Sequence, residues 1–294
     1  MRAPREAERD VGAKRRAPRG PGMSRPLDPQ RIELWCTWLA DIDAARRWED
    51  YRALLDAPER ERQGRLRVPA DRRRDLAARA LVRTVLSRHA PVPPEAWAFG
   101  ADANGRPRIV APQPLPPIEF NIAHSGDLVV LAVATGGRSL GVDVEDAGRR
   151  TDTVALERYF APQEREALSA LPAEARRWRF FELWTLKESY LKARGVGLRL
   201  PLRGVAFEFS EPASVQLSFT GIFVDEAARW ALAQFTLRGH YTLAVCAARQ
   251  GPQPLRLTVQ ETVPLAWARP LSPALACASG IEAERGVADT SLGG

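Results

Sequence analysis

Residues 141–145 read Gly-Val-Asp-Val-Glu, so that apolar and acidic side chains alternate along the stretch. Alternation with a period of two is typical of a β-strand, and it predicts that Asp143 and Glu145 project from the same face. A single Asp-x-Glu pair is weak evidence, because alternating acids on a solvated strand face are common. The pair indicates a functional site only when it is considered together with a second motif later in the chain.

Residues 184–192 read Trp-Thr-Leu-Lys-Glu-Ser-Tyr-Leu-Lys. The spacing predicts a helix in which Trp184, Glu188 and Lys192 form one stripe. We expect Trp184 to be a core residue. Three carboxylates that converge from the strand and this helix would suit a hard divalent cation such as Mg²⁺, with waters and a phosphate completing its shell.

Lysine is rare in this chain, which has 43 Lys and Arg residues together but uses lysine only at positions 14, 187 and 192. Two of these three lysines therefore flank Glu188 on the predicted helix. An ammonium group is a compact point charge on a flexible stem, which suits a crowded phosphate oxygen. The clustering favours an anion beside the carboxylates.

With these two motifs the chain resembles the Sfp-type 4′-phosphopantetheinyl transferases, over roughly residues 32 to 250. The resemblance includes further segments, which follow the family's order: Asn104-Gly105-Arg106-Pro107, Asn121-Ile122-Ala123-His124-Ser125, and Gly195-Val196-Gly197-Leu198 leading to Pro201-Leu202. Two positions depart from the family pattern, since Arg106 replaces its usual Lys and Ala123 replaces its Ser.

The resemblance implies transfer of 4′-phosphopantetheine from coenzyme A to a serine of an apo carrier protein, acyl or peptidyl, with release of 3′,5′-ADP. It implies that Asp143, Glu145 and Glu188 hold Mg²⁺ and that Lys192 contacts the pyrophosphate. Glu188 is the first candidate for the general base, Glu164 is the second, and a water molecule is the third. For Lys187 a phosphate contact and a structural ion pair are both open.

The resemblance also implies that the first half of the chain holds the nucleotide of coenzyme A. Gly105, Arg106 and Pro107 would lie against adenine, and His124 with Arg62 would contact the 3′-phosphate. Arg65 or Arg74 could take the place of Arg62, which is one of many arginines in that region. The full set of predicted contacts to coenzyme A is Arg62, Gly105, Arg106, Pro107, Asn121, His124, Ser125, Lys187 and Lys192.

The fold class expected from the pattern and the resemblance is α+β, with two similar α/β halves related by a pseudo-twofold axis and the active site in the cleft between them. A faint repeat supports this, because Ser125-Gly126-Asp127 and Arg238-Gly239-His240 each precede an apolar run. We predict halves at 29–138 and 139–250, a long exposed loop over 100–117, and an aperiodic tail over 251–294.

The net charge is +7 and the sequence pI about 9.9, but much of the excess lies in the first 22 residues. We expect residues 1–28 to be a disordered basic extension, or translation to begin at Met23. Three widely spaced cysteines, and no apolar run long enough to span a membrane, favour a cytoplasmic protein with reduced thiols.

We expect a monomeric enzyme, because a duplicated chain already supplies both sides of a cleft. Two alternatives stay open at this point: a protein that binds coenzyme A or carriers without turnover, and a basic nucleic-acid-binding protein. The second is disfavoured, because aromatic residues do not interleave with the basic ones. The carrier protein and its pathway cannot be read from the sequence.

Overall fold

The computed structural model describes residues 26–114, 117–149, 153–196, 201–210, 213–221 and 225–284. Its helices are α1 (Leu39–Ala45), α2 (Trp48–Ala53), α3 (Ala57–Arg65), α4 (Pro69–His89), α5 (Thr153–Leu156), α6 (Pro162–Ser169) and α7 (Ala173–Arg194). Its strands are β1 (Arg31–Trp38), β2 (Ala98–Ala101), β3 (Pro107–Ala111), β4 (Ile118–Ser125), β5 (Leu128–Thr135), β6 (Leu140–Asp146), β7 (Val205–Ser210), β8 (Ser214–Phe219), β9 (Trp230–Leu237), β10 (Tyr241–Ala248), β11 (Leu255–Val263), β12 (Trp267–Pro270), β13 (Ala274–Ser279) and β14 (Ile281–Ala283).

The order of elements repeats along the chain. One strand is followed by helices that end in a long one, then by a hairpin, and then by two more strands. In the first half these elements are β1, α4, the β2–β3 hairpin, β4 and β5; in the second they are β6, α7, the β7–β8 hairpin, β9 and β10. Strand β5 is antiparallel to β1 and β4, and β10 is antiparallel to β6 and β9. The α+β architecture of two similar halves is thereby confirmed.

Each half contributes strands to one sheet, and residues 251–284 add strands to both sheets. The first sheet has the strand order β12-β11-β1-β5-β4, with β14 also paired to β11, and the second has the order β6-β10-β9-β13-β8-β7. The two sheets pack face to face, and helices cover both outer faces. Strand β5 shows how the sequence achieves this. Its even-numbered apolar residues from Leu128 to Ala134 face the other sheet, while Val129, Leu131 and Val133 face α4.

The predicted repeat corresponds to two equivalent turns. Gly126 joins β4 to β5 with a φ of 55°, and Gly239 joins β9 to β10 with a φ of 74°. Left-handed backbone of this kind is easily adopted by glycine, which lacks a Cβ. Gly126 is further constrained, since a Cβ there would lie 2.6 Å from the hydroxyl oxygen of Tyr241.

The prediction of an aperiodic tail over 251–294 was wrong for its described part. Strand β11 pairs in parallel with β1, and β13 inserts between β9 and β8, so the segment completes both sheets. Half-buried Thr258 and Gln260 alternate with buried Leu257 and Val259, which is the period-two pattern of a strand and was a signal available in the sequence. Residues 285–294 lie outside the described ranges.

Two further predictions need correction. The predicted loop over 100–117 contains most of the β2–β3 hairpin, whose strands are short and rich in Gly and Pro. Of the predicted extension over 1–28, residues 1–25 lie outside the described ranges, whereas Leu27 is buried and Asp28 accepts a hydrogen bond from the Gln30 amide. None of the helices within the described ranges is long and apolar enough to cross a membrane.

Candidate active site

The site lies where the edge strands of the two sheets meet. Strand β4 ends the first sheet and β6 ends the second. Their side chains bond across the junction, since the Val142 amide donates to Oδ1 of Asn121 over 2.8 Å. Oγ of Ser125 donates to Oε2 of Glu145 over 2.9 Å and accepts from the Asp146 amide over 3.1 Å. Asn121 and Ser125, predicted to contact coenzyme A, thus link the halves and orient Glu145.

Gly141 allows helix α7 to lie directly on β6. A Cβ at this position would be 2.1 Å from the carbonyl oxygen of Ser189 and 2.4 Å from the amide nitrogen of Ala193. Both are backbone atoms of α7, so a larger residue would push the helix away from the strand. The glycine of the Gly-Val-Asp-Val-Glu motif therefore brings Glu188 and Lys192 next to Asp143 and Glu145.

Asp143 is 7 % exposed and its carboxylate has two different environments. Oδ1 lies 2.7 Å from Nζ of Lys192, which also donates to the Val142 carbonyl over 3.0 Å. Oδ2 is buried and has no hydrogen-bond partner among the described residues. Burial raises the pKa of Asp143, and the charge of Lys192 opposes that rise only in part.

Glu145 and Glu188 share the environment of Asp143. Burial, together with the charge of Asp143, raises the pKa of each glutamate to about 7. Repulsion between neighbouring carboxylates has this effect because ionising one disfavours ionising the next. Within the described ranges, no three His, Cys, Asp or Glu side chains are already arranged around a metal position. The structure instead places the three carboxyl groups close together, with Lys192 beside them.

A basic group lies beside these acids. His124, near the end of β4, is only partly covered by the protein, and this partial burial together with the charges of Arg74 and Lys192 lowers its pKa. Arg74 also donates to the Gly126 carbonyl over 3.2 Å. Arg62 is exposed on α3, and Arg65 pairs with Glu61 of the same helix. Of the three candidate arginines, Arg74 is thus the one whose charge acts on His124.

The segment Gly105-Arg106-Pro107 forms part of the turn of the β2–β3 hairpin. Gly105 and Pro107 are exposed, and Gly105 has a φ of 81°. The Arg106 guanidinium, in contrast, points to backbone carbonyls of Lys192, Leu140 and Phe120. The part of the motif that remains open to solvent is its backbone and the proline ring.

Lys187 and Glu164 lie apart from the carboxylate group. Nζ of Lys187 is 2.7 Å from Oε2 of Glu164, and the two side chains are 0 % and 1 % exposed. Lys187 also donates to the carbonyls of Leu202 and Val205, and Glu164 accepts from the amides of Ala161 and Phe207. Burial lowers the pKa of Lys187, and Glu164 raises it only in part.

The prediction that Glu164 is catalytic and Lys187 binds coenzyme A therefore has no support in the geometry. The pair instead joins α7 to the start of α6 and to β7. Of the two possibilities left open for Lys187, the structure favours the structural ion pair.

The remaining helix residue of the motif, Trp184, is half-buried and stacks on Phe180 with ring centroids 6.1 Å apart. It packs against the edge of the core and is not fully buried, so the prediction of a core residue holds only in part. Gly197 and Leu198 of the last predicted motif lie outside the described residues.

One polar residue near the site was missed. Thr242 on β10 is opposite Glu145 in the strand register and is 1 % exposed. Its hydroxyl is buried and has no hydrogen-bond partner among the described residues. Side chains of directly opposed residues lie on the same face, about 5 Å apart at Cβ. The sequence signal was the β10 repeat itself, in which a hydroxyl interrupts an otherwise apolar run.

Comparison with known proteins finds a matching family model for each half of the chain. Residues 139–246 match the model of the 4′-phosphopantetheinyl transferase superfamily, and residues 42–136 match that of the 4′-phosphopantetheinyl transferase N-terminal domain.

Among relatives, the 4′-phosphopantetheinyl transferase HetI of Nostoc is 31 % identical over 239 residues, covering 81 % of this chain and 95 % of its own. The 4′-phosphopantetheinyl transferase Sfp of Bacillus subtilis is 29 % identical over 203 residues, covering 68 % and 85 %. A solved holo-[acyl-carrier-protein] synthase of Thermotoga maritima is 16 % identical with a TM-score of 0.32, covering 50 % and 98 %. From its sequence relatives and both family models, this chain belongs to the 4′-phosphopantetheinyl transferase superfamily.

Proposed function

We propose that this protein transfers the 4′-phosphopantetheine group of coenzyme A to a serine hydroxyl of an apo carrier protein. Membership in the 4′-phosphopantetheinyl transferase superfamily supports this reaction. The observation that carries the proposal is the group formed by Asp143, Glu145 and Glu188 around Lys192, at the junction of the two halves. Such a group suits a pyrophosphate whose charge a cation must neutralise.

In this reaction the serine Oγ forms a bond to the phosphorus that carries the pantetheine arm. The bond from that phosphorus to the oxygen of the leaving 3′,5′-ADP breaks, and the serine proton passes to a base. Glu188 is the first candidate, because α7 places its carboxyl group beside Asp143 and Glu145, where it would reach the serine directly or through a water molecule. A water molecule held by the carboxylates is the alternative base, whereas Glu164 is too deeply buried.

The carboxylates fit a magnesium ion. Carboxylate oxygens are the hard ligands that Mg²⁺ prefers, and the buried Oδ2 of Asp143 lacks any partner among the described residues. Asp143, Glu145 and Glu188 would hold the ion. When bound, Mg²⁺ would neutralise charge on the pyrophosphate and on the leaving phosphate.

Other residues of the chain would receive the anionic groups of coenzyme A. Lys192 forms an ion pair with Asp143, and its ammonium group would also contact the pyrophosphate. Arg74 and His124, which influence each other electrostatically, would take the 3′-phosphate. Exposed backbone at Gly105 and the ring of Pro107 would contact adenine. Ser125 would act indirectly, by holding Glu145 in place.

We further propose that the enzyme acts as a monomer in the cytoplasm. The duplicated halves supply both edge strands of the site, and Cys36, Cys246 and Cys277 are buried free thiols. Sedimentation velocity would test the monomer, since a stable dimer would overturn it.

Intact-protein mass spectrometry tests the reaction directly. An apo carrier protein is incubated with the enzyme, coenzyme A and Mg²⁺, beside a reaction with EDTA and one with Glu188→Gln. We expect the carrier to gain the mass of phosphopantetheine and both controls to lose that gain. No gain on acyl or peptidyl carriers, despite measured binding of coenzyme A, would indicate a binding protein without turnover. Retention on DNA that falls with salt would instead favour a nucleic-acid-binding protein.

A further inference from the structure

We propose that Arg106 is a positioning residue, which holds the C-terminal end of α7 so that Lys192 and Glu188 face Asp143. The proposal assigns the Arg106 side chain to the protein scaffold and not to the nucleotide. Its catalytic consequence rests on the proposed function, whereas its structural part can be tested without any turnover.

The Arg106 guanidinium bonds to three different elements. Nη1 donates to the carbonyl oxygen of Lys192 on α7 over 3.0 Å. Nη2 donates to the carbonyl of Leu140 on β6 over 2.8 Å and makes a longer contact of 3.4 Å to the carbonyl of Phe120 on β4. One side chain from the first half thus connects both edge strands of the junction to the helix that carries the site.

The acceptor on α7, the Lys192 carbonyl, lies in the last turn of the helix. The last four carbonyls of an α-helix have no intrahelical amide to bond to. The end of α7 is capped by Gly195, whose amide donates to the carbonyls of Leu191 and Lys192. A cation at this end also interacts favourably with the helix dipole. The guanidinium of Arg106 adds a second hydrogen bond to the Lys192 carbonyl and places a cation at this helix end.

Asn104 strengthens the same connection. Its Nδ2 donates to the carbonyl of Gly195 over 2.7 Å. The turn is shaped by Asp102, whose Oδ1 accepts from the amides of Asn104 and Arg106 over 2.8 and 3.0 Å. The hairpin turn therefore presents two side chains to the end of α7 from a fixed backbone.

Lys192 is consequently held at both of its ends. Its backbone carbonyl bonds to Arg106, and its ammonium group bonds to Asp143 and the Val142 carbonyl. A lysine at position 106 would keep the charge, but its single ammonium nitrogen cannot reproduce two separate donor nitrogens, one on the Lys192 carbonyl and the other on the Leu140 carbonyl. Loss of Arg106 would make the last turn of α7 more mobile, and Lys192 would then occupy a wider range of positions.

Kinetics with coenzyme A separate positioning from binding. In Arg106→Gln we expect kcat to fall about tenfold to a hundredfold, since misplaced groups cost rate even when substrate binds. KM for coenzyme A should rise by a smaller factor, because Lys192 is also proposed to contact its pyrophosphate. Asn104→Ala should show a smaller fall of the same kind, and Arg106→Lys should recover only part of the rate. Arg108→Gln, on the same hairpin and exposed, is the matched control. A raised KM with unchanged kcat in Arg106→Gln would overturn the proposal.

Hydrogen exchange on the ligand-free protein gives the independent readout. We expect faster exchange of the amides at residues 190–195 in Arg106→Gln and Asn104→Ala, because a helix end opens more often once the hydrogen bonds that anchor it are removed. Exchange in this segment should not change in Arg108→Gln. Unchanged exchange in Arg106→Gln would also overturn the proposal. If the wild-type protein transfers nothing to any carrier, this measurement still decides whether Arg106 holds α7.

Discussion

The ammonium nitrogen of Lys192 lies 2.7 Å from Oδ1 of Asp143, while Oδ2 of the same carboxylate is buried without a hydrogen-bond partner in the described part of the chain. A buried charge that is only half satisfied is costly unless a ligand completes it. Lys192 therefore fixes one oxygen of the carboxylate and leaves the other unpaired within the described residues. Because the two oxygens differ in this way, we expect Lys192 and Asp143 to act together as one unit.

The first prediction concerns that unit. We expect Asp143→Asn and Lys192→Met each to lower kcat about a hundredfold, because each removes a charge placed where the reaction develops charge. The kcat of the double variant should be little lower than that of the less active single variant, because the effects of groups that act together are not additive. Steady-state kinetics check this, with Glu208→Gln, an exposed acid on β7, as the control. Fully additive losses would mean that the two residues act independently.

The second prediction concerns the contact between α7 and β6. We expect Gly141→Ala to lower the free energy of unfolding by about 1–3 kcal/mol, because its Cβ would overlap two backbone atoms of α7 that cannot move aside alone. Gly64→Ala is the matched control, as a Cβ there meets no atom within 4 Å and favours helix α3 by about 0.5–1 kcal/mol. Urea denaturation measures both. Equal stability of the two variants would contradict the tight contact.

The third prediction separates structure from catalysis at Glu164 and Lys187. Removing one partner of a buried ion pair leaves the other charge uncompensated, so Lys187→Met and Glu164→Gln should each lower stability by about 3–5 kcal/mol. We expect kcat per folded molecule to be retained at a temperature where the variants stay folded. Replacing both residues with methionine should restore part of the stability. Normal thermal unfolding with lost activity in Glu164→Gln would restore Glu164 as the catalytic base.

The fourth prediction concerns pH. Glu33 on β1 is 3.1 Å from Nε2 of His89 on α4. Burial favours a raised pKa for Glu33, but hydrogen bonds and charge from His89, with Trp35 and Arg31, outweigh it and lower the pKa below 4.5. A carboxylate with a lowered folded-state pKa stabilises the protein above its unfolded pKa, and the effect is lost as pH falls through the folded value.

Glu33→Gln should therefore be less stable than the wild type by about 1–2 kcal/mol near neutral pH. The difference should shrink as the pH is lowered below 4.5. Chemical denaturation between neutral and acidic pH measures it, with the exposed Glu282→Gln as a control for loss of charge. A difference that stays constant or grows on acidification would show that Glu33 is not held ionised by these contacts.

The sequence predicted the fold where hydrophobic periodicity was strong. The apolar runs of β5 and β10, each after a turn glycine, predicted the duplication that the sheet order confirms. Short strands with few buried residues, namely β2, β3, β12 and β14, give no such periodic signal, and they lie in the predicted loop and tail. The predicted tail also contains β11 and β13, which lie inside the sheets, so low burial does not account for that error.

For the site, alternation in Asp143 and Glu145 and the helical stripe of Glu188 and Lys192 predicted which side chains come together. Side chains that serve the scaffold could not be told apart from ligand contacts in this way. Lys187 is one residue from Glu188, but it points into the core, and Arg106 uses its donors on backbone carbonyls. The groups that a charged side chain contacts depend on tertiary packing, and a local sequence motif does not determine them.

The parallel pairing of β1 with β11 has a consequence for how the protein is made. Ile32 lies beside Leu257, so a strand near one end of the chain finds its neighbour near the other. During synthesis on the ribosome the first sheet stays incomplete until β11 has emerged. Contacts so distant in sequence slow folding, and a chain cut after residue 250 would leave one side of β1 open to pairing with other molecules. We therefore expect the two repeated halves to fold as one unit that depends on its last strands, and neither half to be stable when expressed alone.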